Sequence, residues 1–246
     1  MKVLLLGLFL AIPGLAQTGS QQKLEEELHA RDPQITIKAL KRIAGTKSLY
    51  EDPSVQNSVI QLLSSETVNP DRGELAETQQ LYEDFYGQLL DTTKAIAVRT
   101  NNRQAWLALA RANYNADAEY GRWLAIQPQA IPAFIQLSSS PQEMIRGQML
   151  CVMAYTIKSC NENPRLSISG RMKQLETIIR RHAAEDPSPV VTSSEIVALG
   201  ICGTMADIPL LESLRGSAVP NQEEKYWLNR NIDTQEQAIR GRFSAK

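Results

Sequence analysis

Side chains suited to acid–base or metal chemistry are few and scattered in this sequence. Its two histidines, His29 and His182, are far apart, and neither has a second histidine nearby. His182 with Glu185 or Asp186 could hold a metal ion or act as a base, but a zinc site usually needs three or four protein ligands and the sequence offers no such set. The alternative is a structural histidine near a helix C-terminus, where the helix dipole favours a positive charge. We therefore predict no catalytic residue, no metal ligand and no cofactor.

Paired carboxylates and serines give no stronger indication of catalysis. Two carboxyl groups work as an acid and a base when burial separates their pKa values. The candidate pairs here lie among polar residues and are expected to be solvated: Glu74 with Glu77, Glu83 with Asp84, and Asp117 with Glu119. The chain also lacks the Gly-x-Ser-x-Gly motif of serine hydrolases and a glycine-rich phosphate loop. These absences favour a protein that binds over one that catalyses.

Two groups of side chains could bind a partner. The basic group could meet an acidic partner or an anionic surface, and the aromatic group could line a recognition groove, because aromatic anchors carry much of the energy at interfaces. Each group has a plainer alternative, which is a solvated helix face for the basic residues and core packing for the aromatic ones. The groups are Arg171, Lys173, Arg180 and Arg181, and Trp106, Tyr114, Tyr120 and Trp123.

The three cysteines, Cys151, Cys160 and Cys202, leave at least one thiol without a disulfide partner within the chain. If Cys151 and Cys160 share a helix, they lie about 13 Å apart along its axis, which is too far for a disulfide. A single internal bond must then include Cys202. Cys160 is the better partner for it, because both fall near the C-terminal ends of helices that we take to be equivalent. The alternative is three reduced cysteines that pack as small apolar side chains.

The first residues have the pattern of a secretory signal peptide. One lysine precedes the apolar run Val3–Ala11, and Gly14 and Ala16 are the small residues that a signal peptidase requires. The run is too short to span a bilayer, which takes about 18 or more apolar residues, and no later stretch is long and apolar enough. We therefore expect residues 1–16 to be removed before Gln17, which leaves an exported protein, periplasmic or secreted, with no membrane span.

The elements that must position these residues are all predicted helices. Two of them open with an aspartate–proline pair, at Asp32-Pro33 and Asp52-Pro53, because aspartate caps a helix and proline fits its first turn. The stretch Asp71–Arg99 has no proline and repeats apolar residues at helical spacing, so it should form one long helix or two helices broken near Gly87. No sustained alternation predicts a strand. The chain is predicted to be all-α.

Two windows of the sequence resemble helical repeats. In the first, Ala130–Leu137, a short polar loop and Ile145-Arg146 before an apolar helix resemble a HEAT repeat, whose second helix typically opens with a valine–arginine pair. In the second, Ala198–Gly203 followed by Asp207–Leu211 resembles the junction between short bacterial HEAT units of the phycobilin-lyase type. Helical pairs that recur every 30 to 45 residues or so are typical of a solenoid.

The resemblance implies an armadillo-like α-solenoid of HEAT-like hairpins. It divides the chain into an N-terminal helical region, 17–100, and a HEAT-like repeat region, 101–246, which together form one continuous solenoid. The stretch Asp71–Arg99 departs from the family, because it is too long for one helix of such a unit. A tetratricopeptide repeat is the rival interpretation, but the segment 106–128 that suggests it is too short for a unit of about 34 residues.

Stacked helical repeats commonly bind other proteins through a curved surface. The sequence therefore predicts an exported, non-enzymatic HEAT-like scaffold with a protein partner. Two alternatives stay open, namely an enzyme or enzyme subunit, which the lyase-like window Ala198–Leu211 suggests, and a structural spacer within an envelope complex. The net charge of −1 gives no indication of a nucleic-acid partner.

Overall fold

The structure is a computed structural model that describes residues 13–68, 76–113, 118–163, 169–217, 219 and 221–244. Within these ranges every regular element is a helix and none is a strand, so the prediction of an all-α fold is confirmed. Among the helices described, none has an apolar stretch long enough to cross a membrane. Most of the predicted signal peptide, residues 1–12, lies outside the described residues.

The chain divides into two compact units, residues 1–62 with 71–96 and residues 63–70 with 97–246. In the first unit α1 packs against α2, and α2 packs against α3. The Asp32 side chain caps α2 by accepting a hydrogen bond from the Gln34 N–H at 2.9 Å, as the aspartate–proline pattern predicts. The unit contains all or most of α1 (Pro13–Leu28), α2 (Pro33–Gly45), α3 (Lys47–Tyr50), α4 (Pro53–Val68) and α5 (Ala76–Thr100).

Helix α5 is one helix that continues through Gly87. A glycine inside a helix costs about 1 kcal/mol relative to alanine, and burial of neighbours such as Leu89 can offset that cost. The buried Thr92 hydroxyl donates a hydrogen bond to the Leu40 carbonyl at 3.3 Å, which ties α5 to α2. The helix stops before Asn101, whose φ of 52° is left-handed, a conformation that asparagine tolerates better than most residues.

The second unit is a succession of helices joined by short connections. Among the described residues, 3-10 turns at Pro128–Ala130, Met205–Asp207 and Leu214–Gly216 lie in the connections between helices. The helices are α6 (Arg103–Ala112), α7 (Ala118–Ala125), α8 (Ile131–Leu137), α9 (Glu143–Glu162), α10 (Ser169–Glu185), α11 (Pro189–Cys202), α12 (Ile208–Ser213) and α13 (Gln222–Ser244).

Helices of the second unit pack in a regular order. Taken as the pairs α6–α7, α8–α9, α10–α11 and α12–α13, the second members pack in series, with α7 on α9, α9 on α11 and α11 on α13. Among the first members, α6 packs on α8 and α10 packs on α12. The space between them is filled by fully buried side chains, which include Trp106, Leu124, Ile131, Phe134, Met149 and Leu150. Each pair therefore buries its apolar surface against its neighbours in the chain.

The contact between α9 and α11 is especially close. A Cβ atom at Gly147 would lie 2.6 Å from the Ser194 Oγ, so the absence of a side chain on α9 lets α11 approach. Helix α11 begins after Ser188, whose hydroxyl accepts a hydrogen bond from the Val191 N–H at 3.3 Å. Pro189 fits the first turn of the helix. Because α11 begins at Pro189, Ser194 in the first half of the helix lies beside Gly147 of α9.

Candidate functional site

The end of α10 and the middle of α11 bring one histidine and two carboxyl groups together. His182 lies in the last turn of α10, Asp186 follows the helix directly, and Glu195 lies in α11. One ring nitrogen of His182 and one oxygen from each carboxyl group lie within 4.8 Å of one another. Glu195 is fully buried, and the His182 and Asp186 side chains are 11% and 6% exposed. We call these three residues the His–Asp–Glu cluster.

Asp186 is fixed by an arginine from the preceding helical pair. Arg146 Nε donates to Asp186 Oδ2 at 2.9 Å, and Nη2 donates to Oδ1 at 3.2 Å. The Ser188 N–H donates to Oδ1 at 3.1 Å, and His182 Nδ1 lies 3.3 Å from Oδ2. Burial raises the pKa of Asp186, but the hydrogen bonds from Arg146 and Ser188 outweigh it and hold the pKa below its usual range. Asp186 is therefore a fixed anion at the edge of the cluster.

Arg146 belongs to the Ile145-Arg146 pair that carries the resemblance to a HEAT repeat. Its Nη1 also donates to the Ser140 carbonyl at 2.9 Å, so the same guanidinium holds the loop before α9 and the residue after α10. The Arg146 and Asp186 side chains are 16% and 6% exposed. We call this ion pair the Arg146–Asp186 clamp, and it joins one helical pair to the next.

Glu195 is the least satisfied polar side chain of the cluster. Neither carboxylate oxygen has a hydrogen-bond partner among the described residues, and neither does the buried Nε2 of His182. Burial raises the pKa of Glu195 to about 8, and the nearby Asp186 charge raises it further against the opposing effect of Arg146. A buried polar group without a partner costs about 1–3 kcal/mol, so a bound proton or cation would stabilise the site.

An open cavity of about 370 Å³ gives solvent access to this cluster. Its lining includes Arg146, His182 and Asp186, together with the loop residue Pro187 and the exposed Glu185. Glu195 is not among the lining residues and is fully buried, so it lies deeper than the other two members of the cluster. We call this space the α10 cavity. It provides a path by which a small ion could reach the cluster.

A second concave surface lies across α7, α9 and α11. This groove of about 500 Å³ is lined by Arg122 on α7, Met144 and Tyr155 on α9, and Val190 on α11, together with polar side chains such as Gln148. Met144, Tyr155 and Val190 are 48%, 41% and 43% exposed, which is unusual for large apolar residues that lie together. We call it the α7–α9–α11 groove.

The aromatic residues predicted as binding candidates pack together at α6 and α7. Trp106 and Tyr120 are buried, and the Trp123 ring lies 6.1 Å and 5.8 Å from their ring centroids. The Tyr120 hydroxyl donates to the Leu109 carbonyl at 2.8 Å. The two buried rings therefore belong to the core, which is the alternative that the sequence left open. Tyr114 lies outside the described residues.

The basic candidates do not form one patch. Arg171, Lys173 and Arg181 are exposed, and Lys173 and Arg181 line a groove of about 730 Å³ together with residues of α8 such as Ile135. Arg180 instead pairs with buried Asp207, with Nε donating to Oδ1 at 2.6 Å. Arg180 is therefore engaged in a structural ion pair, and the structure separates it from the other three.

All three cysteines are thiols in this structure, which therefore has no Cys160–Cys202 bond. The disulfide stays a prediction of the sequence. Burial raises the pKa of Cys151 to about 11 and that of Cys202 to about 12. Such thiols are protonated at neutral pH and make poor nucleophiles.

Glu195 is the cluster member that sequence reasoning missed. A signal for it exists in the spacing of α11, because Val191, Glu195, Ala198 and Leu199 recur at the intervals of one helix face, and the three apolar members of that set are buried. A glutamate on an apolar face is a candidate for a special role.

No protein-family model, curated protein or solved structure matches this chain, so its function must be inferred from these sites.

Proposed function

We propose that this protein is an exported, non-enzymatic HEAT-like scaffold that binds another protein through the α7–α9–α11 groove. The observation that carries the proposal is the exposed apolar lining of that groove, which three serially packed helices provide. The export step rests on the signal-peptide pattern of residues 1–16. This pattern predicts that the mature protein begins at Gln17, which N-terminal sequencing of the exported protein would show.

The order of helix contacts supports an α-solenoid. In a solenoid each repeat contacts its neighbours, so equivalent helices lie side by side in chain order. The series α7, α9, α11 and α13 has this order, as do the contacts of α6 with α8 and of α10 with α12. The Arg146–Asp186 clamp and the Arg180–Asp207 pair each link one helical pair to the next.

The composition of the groove favours a protein segment as its ligand. Exposed apolar side chains that lie together typically mark an interaction surface. Met144, Tyr155 and Val190 offer contacts to apolar side chains, and Arg122 offers a charge for a carboxylate. The partner that fits is therefore a segment with apolar side chains and an acidic group. The last helix of the series, α13, also exposes aromatic rings of the kind enriched at interfaces.

A site-specific photocrosslinking experiment tests the groove directly. The photoreactive amino acid p-benzoylphenylalanine replaces Tyr155 in the groove or, as a control, the exposed Arg171 on α10, in the organism that makes the protein. We expect one crosslinked partner from position 155 and none from position 171. Equal crosslinking at both positions, or crosslinking at position 171 alone, would show that the groove is not the binding surface.

The affinity of the identified partner provides the second test. We expect the Met144→Ala/Tyr155→Ala variant to weaken binding at least ~10-fold, because truncation of the few side chains that anchor an interface costs about 2 kcal/mol or more and tenfold is about 1.4 kcal/mol. Met205→Ala is the matched control, since Met205 is 44% exposed and lies outside the groove. If both variants bind as the wild type does, the groove proposal is wrong.

A further inference from the structure

The His–Asp–Glu cluster combines ligand types that transition-metal ions prefer. Imidazole nitrogen binds Zn²⁺, Cu²⁺, Ni²⁺ and Fe²⁺ well, and carboxylate oxygen completes many of these sites. The cluster offers one nitrogen and two oxygens within 4.8 Å of one another. Two ligands of a tetrahedral zinc ion are roughly 3.4 Å apart, because zinc–nitrogen and zinc–oxygen bonds are about 2.0–2.2 Å long. A contraction of at most about 1.4 Å would therefore bring the three atoms from within 4.8 Å of one another to the spacing of zinc ligands.

Glu195 provides independent evidence for a cation. A carboxyl group that is fully buried normally has hydrogen-bond donors around it, yet both Glu195 oxygens lack one among the described residues. The two buried acceptor atoms of Glu195 are thus left without donors. A metal ion satisfies such acceptors at once, because it takes lone pairs from several of them.

The surroundings of the cluster supply the other parts of a metal site. Arg146 and the Ser188 N–H fix the orientation of Asp186, as outer contacts orient metal ligands in known sites. The Nδ1 atom of His182 lies 3.3 Å from Asp186 Oδ2, which is close to the spacing of two ligands on one zinc ion. The α10 cavity reaches His182 and Asp186 from solvent, so an ion can enter and water can fill the remaining coordination positions.

We propose that His182, Asp186 and Glu195 bind one divalent transition-metal ion, with Zn²⁺ as the representative. This site is distinct from the α7–α9–α11 groove, since no residue of the cluster lines that groove. The proposal therefore does not depend on the proposed binding function.

Isothermal titration calorimetry on the full chain, after treatment with a chelator, tests the site. We expect one Zn²⁺ to bind per chain and the melting temperature to rise with Zn²⁺ concentration, because an ion that binds the folded state stabilises it. Ca²⁺ should bind at least ~100-fold more weakly, since it requires oxygen ligands. Binding of Ca²⁺ as tight as that of Zn²⁺, or no binding of Zn²⁺, would overturn the proposal.

Three variants identify the ligands. Glu195→Gln keeps the size of the side chain and removes the carboxyl group that binds the ion, so it should fold with the wild-type circular dichroism spectrum and bind Zn²⁺ at least ~100-fold more weakly. His182→Ala should show the same loss. Glu185→Gln makes the same replacement at the exposed mouth of the α10 cavity and should bind as the wild type does. If Glu185→Gln weakens binding and Glu195→Gln does not, the ion lies at the cavity mouth and the proposal is wrong.

Discussion

Replacement of Arg146 by methionine is the most direct test of how successive helical pairs are joined. Methionine keeps much of the length of the side chain and removes the guanidinium. The Asp186 side chain, which is 6% exposed, then loses two charge-assisted hydrogen bonds. It keeps the hydrogen bond from the Ser188 N–H and the contact with His182 Nδ1. The Ser140 carbonyl loses a donor as well. The substitution therefore leaves a buried negative charge poorly compensated.

The expected cost follows from these contacts. Removal of one partner from a buried ion pair costs about 3–5 kcal/mol. Because Asp186 keeps a backbone donor and Arg146 is 16% exposed, we expect the lower end, about 3 kcal/mol of unfolding free energy. In a double-mutant cycle with Asp186→Asn, the coupling energy between the two side chains should be about 2 kcal/mol, within the range for residues of one salt-bridge network.

Tryptophan fluorescence during urea unfolding is the suitable assay. All three tryptophans, Trp106, Trp123 and Trp227, lie in the second unit, so their signal reports the unit that contains the clamp. Arg181→Met is the control, because Arg181 is exposed and a substitution there should change the unfolding free energy by no more than about 0.5 kcal/mol. A loss below about 1 kcal/mol for Arg146→Met, or a coupling energy near zero, would refute the reasoning.

Other predictions concern single contacts. Burial raises the pKa of Asp207, but hydrogen bonds from Arg180 and Thr204 outweigh it and lower the pKa. The stability that the Arg180–Asp207 pair contributes is present above the unfolded-state pKa of about 3.9 and is lost as the pH falls through the lower folded-state pKa. Urea unfolding should therefore show that the difference in unfolding free energy between the wild type and Asp207→Asn shrinks below about pH 4. Gly87→Ala should raise the unfolding free energy by about 0.5–1 kcal/mol, because alanine favours a helix and nothing lies within 4 Å of the new Cβ. In Gly203→Ala the new Cβ would lie 2.4 Å from the Leu199 carbonyl oxygen, so thermal unfolding should show an unfolding free energy lower by about 1–3 kcal/mol. Ser188→Ala should lower the unfolding free energy by about 1 kcal/mol in the same assay, since α11 loses its N-cap.

Local sequence rules predicted the helices well where capping residues mark their ends. The Asp32-Pro33 and Asp52-Pro53 pairs open α2 and α4 as expected. The rules could not choose between one helix and two at Gly87, because the helix cost of glycine is small and packing decides the outcome. They also missed the one-turn helix α3, which has no buried residue and thus no apolar pattern.

The candidate site was harder to predict, because it depends on contacts between distant segments. His182 and Asp186 are neighbours in sequence, but Glu195 joins them only when α11 packs beside α10 and α9. Arg146 comes from still farther along the chain, as the hydrogen bonds across 40 residues show. Spacing within one helix cannot reveal such a set. It indicates only that the glutamate of α11 lies on an apolar face.

The surroundings of the cysteines make two of their thiols unreactive. Burial raises the pKa of Cys151 to about 11 and that of Cys202 to about 12, so both sulfur atoms stay protonated at neutral pH. Because a thiol attacks other molecules as its thiolate, an alkylating reagent should label these two positions slowly in the folded protein and faster once urea unfolds it.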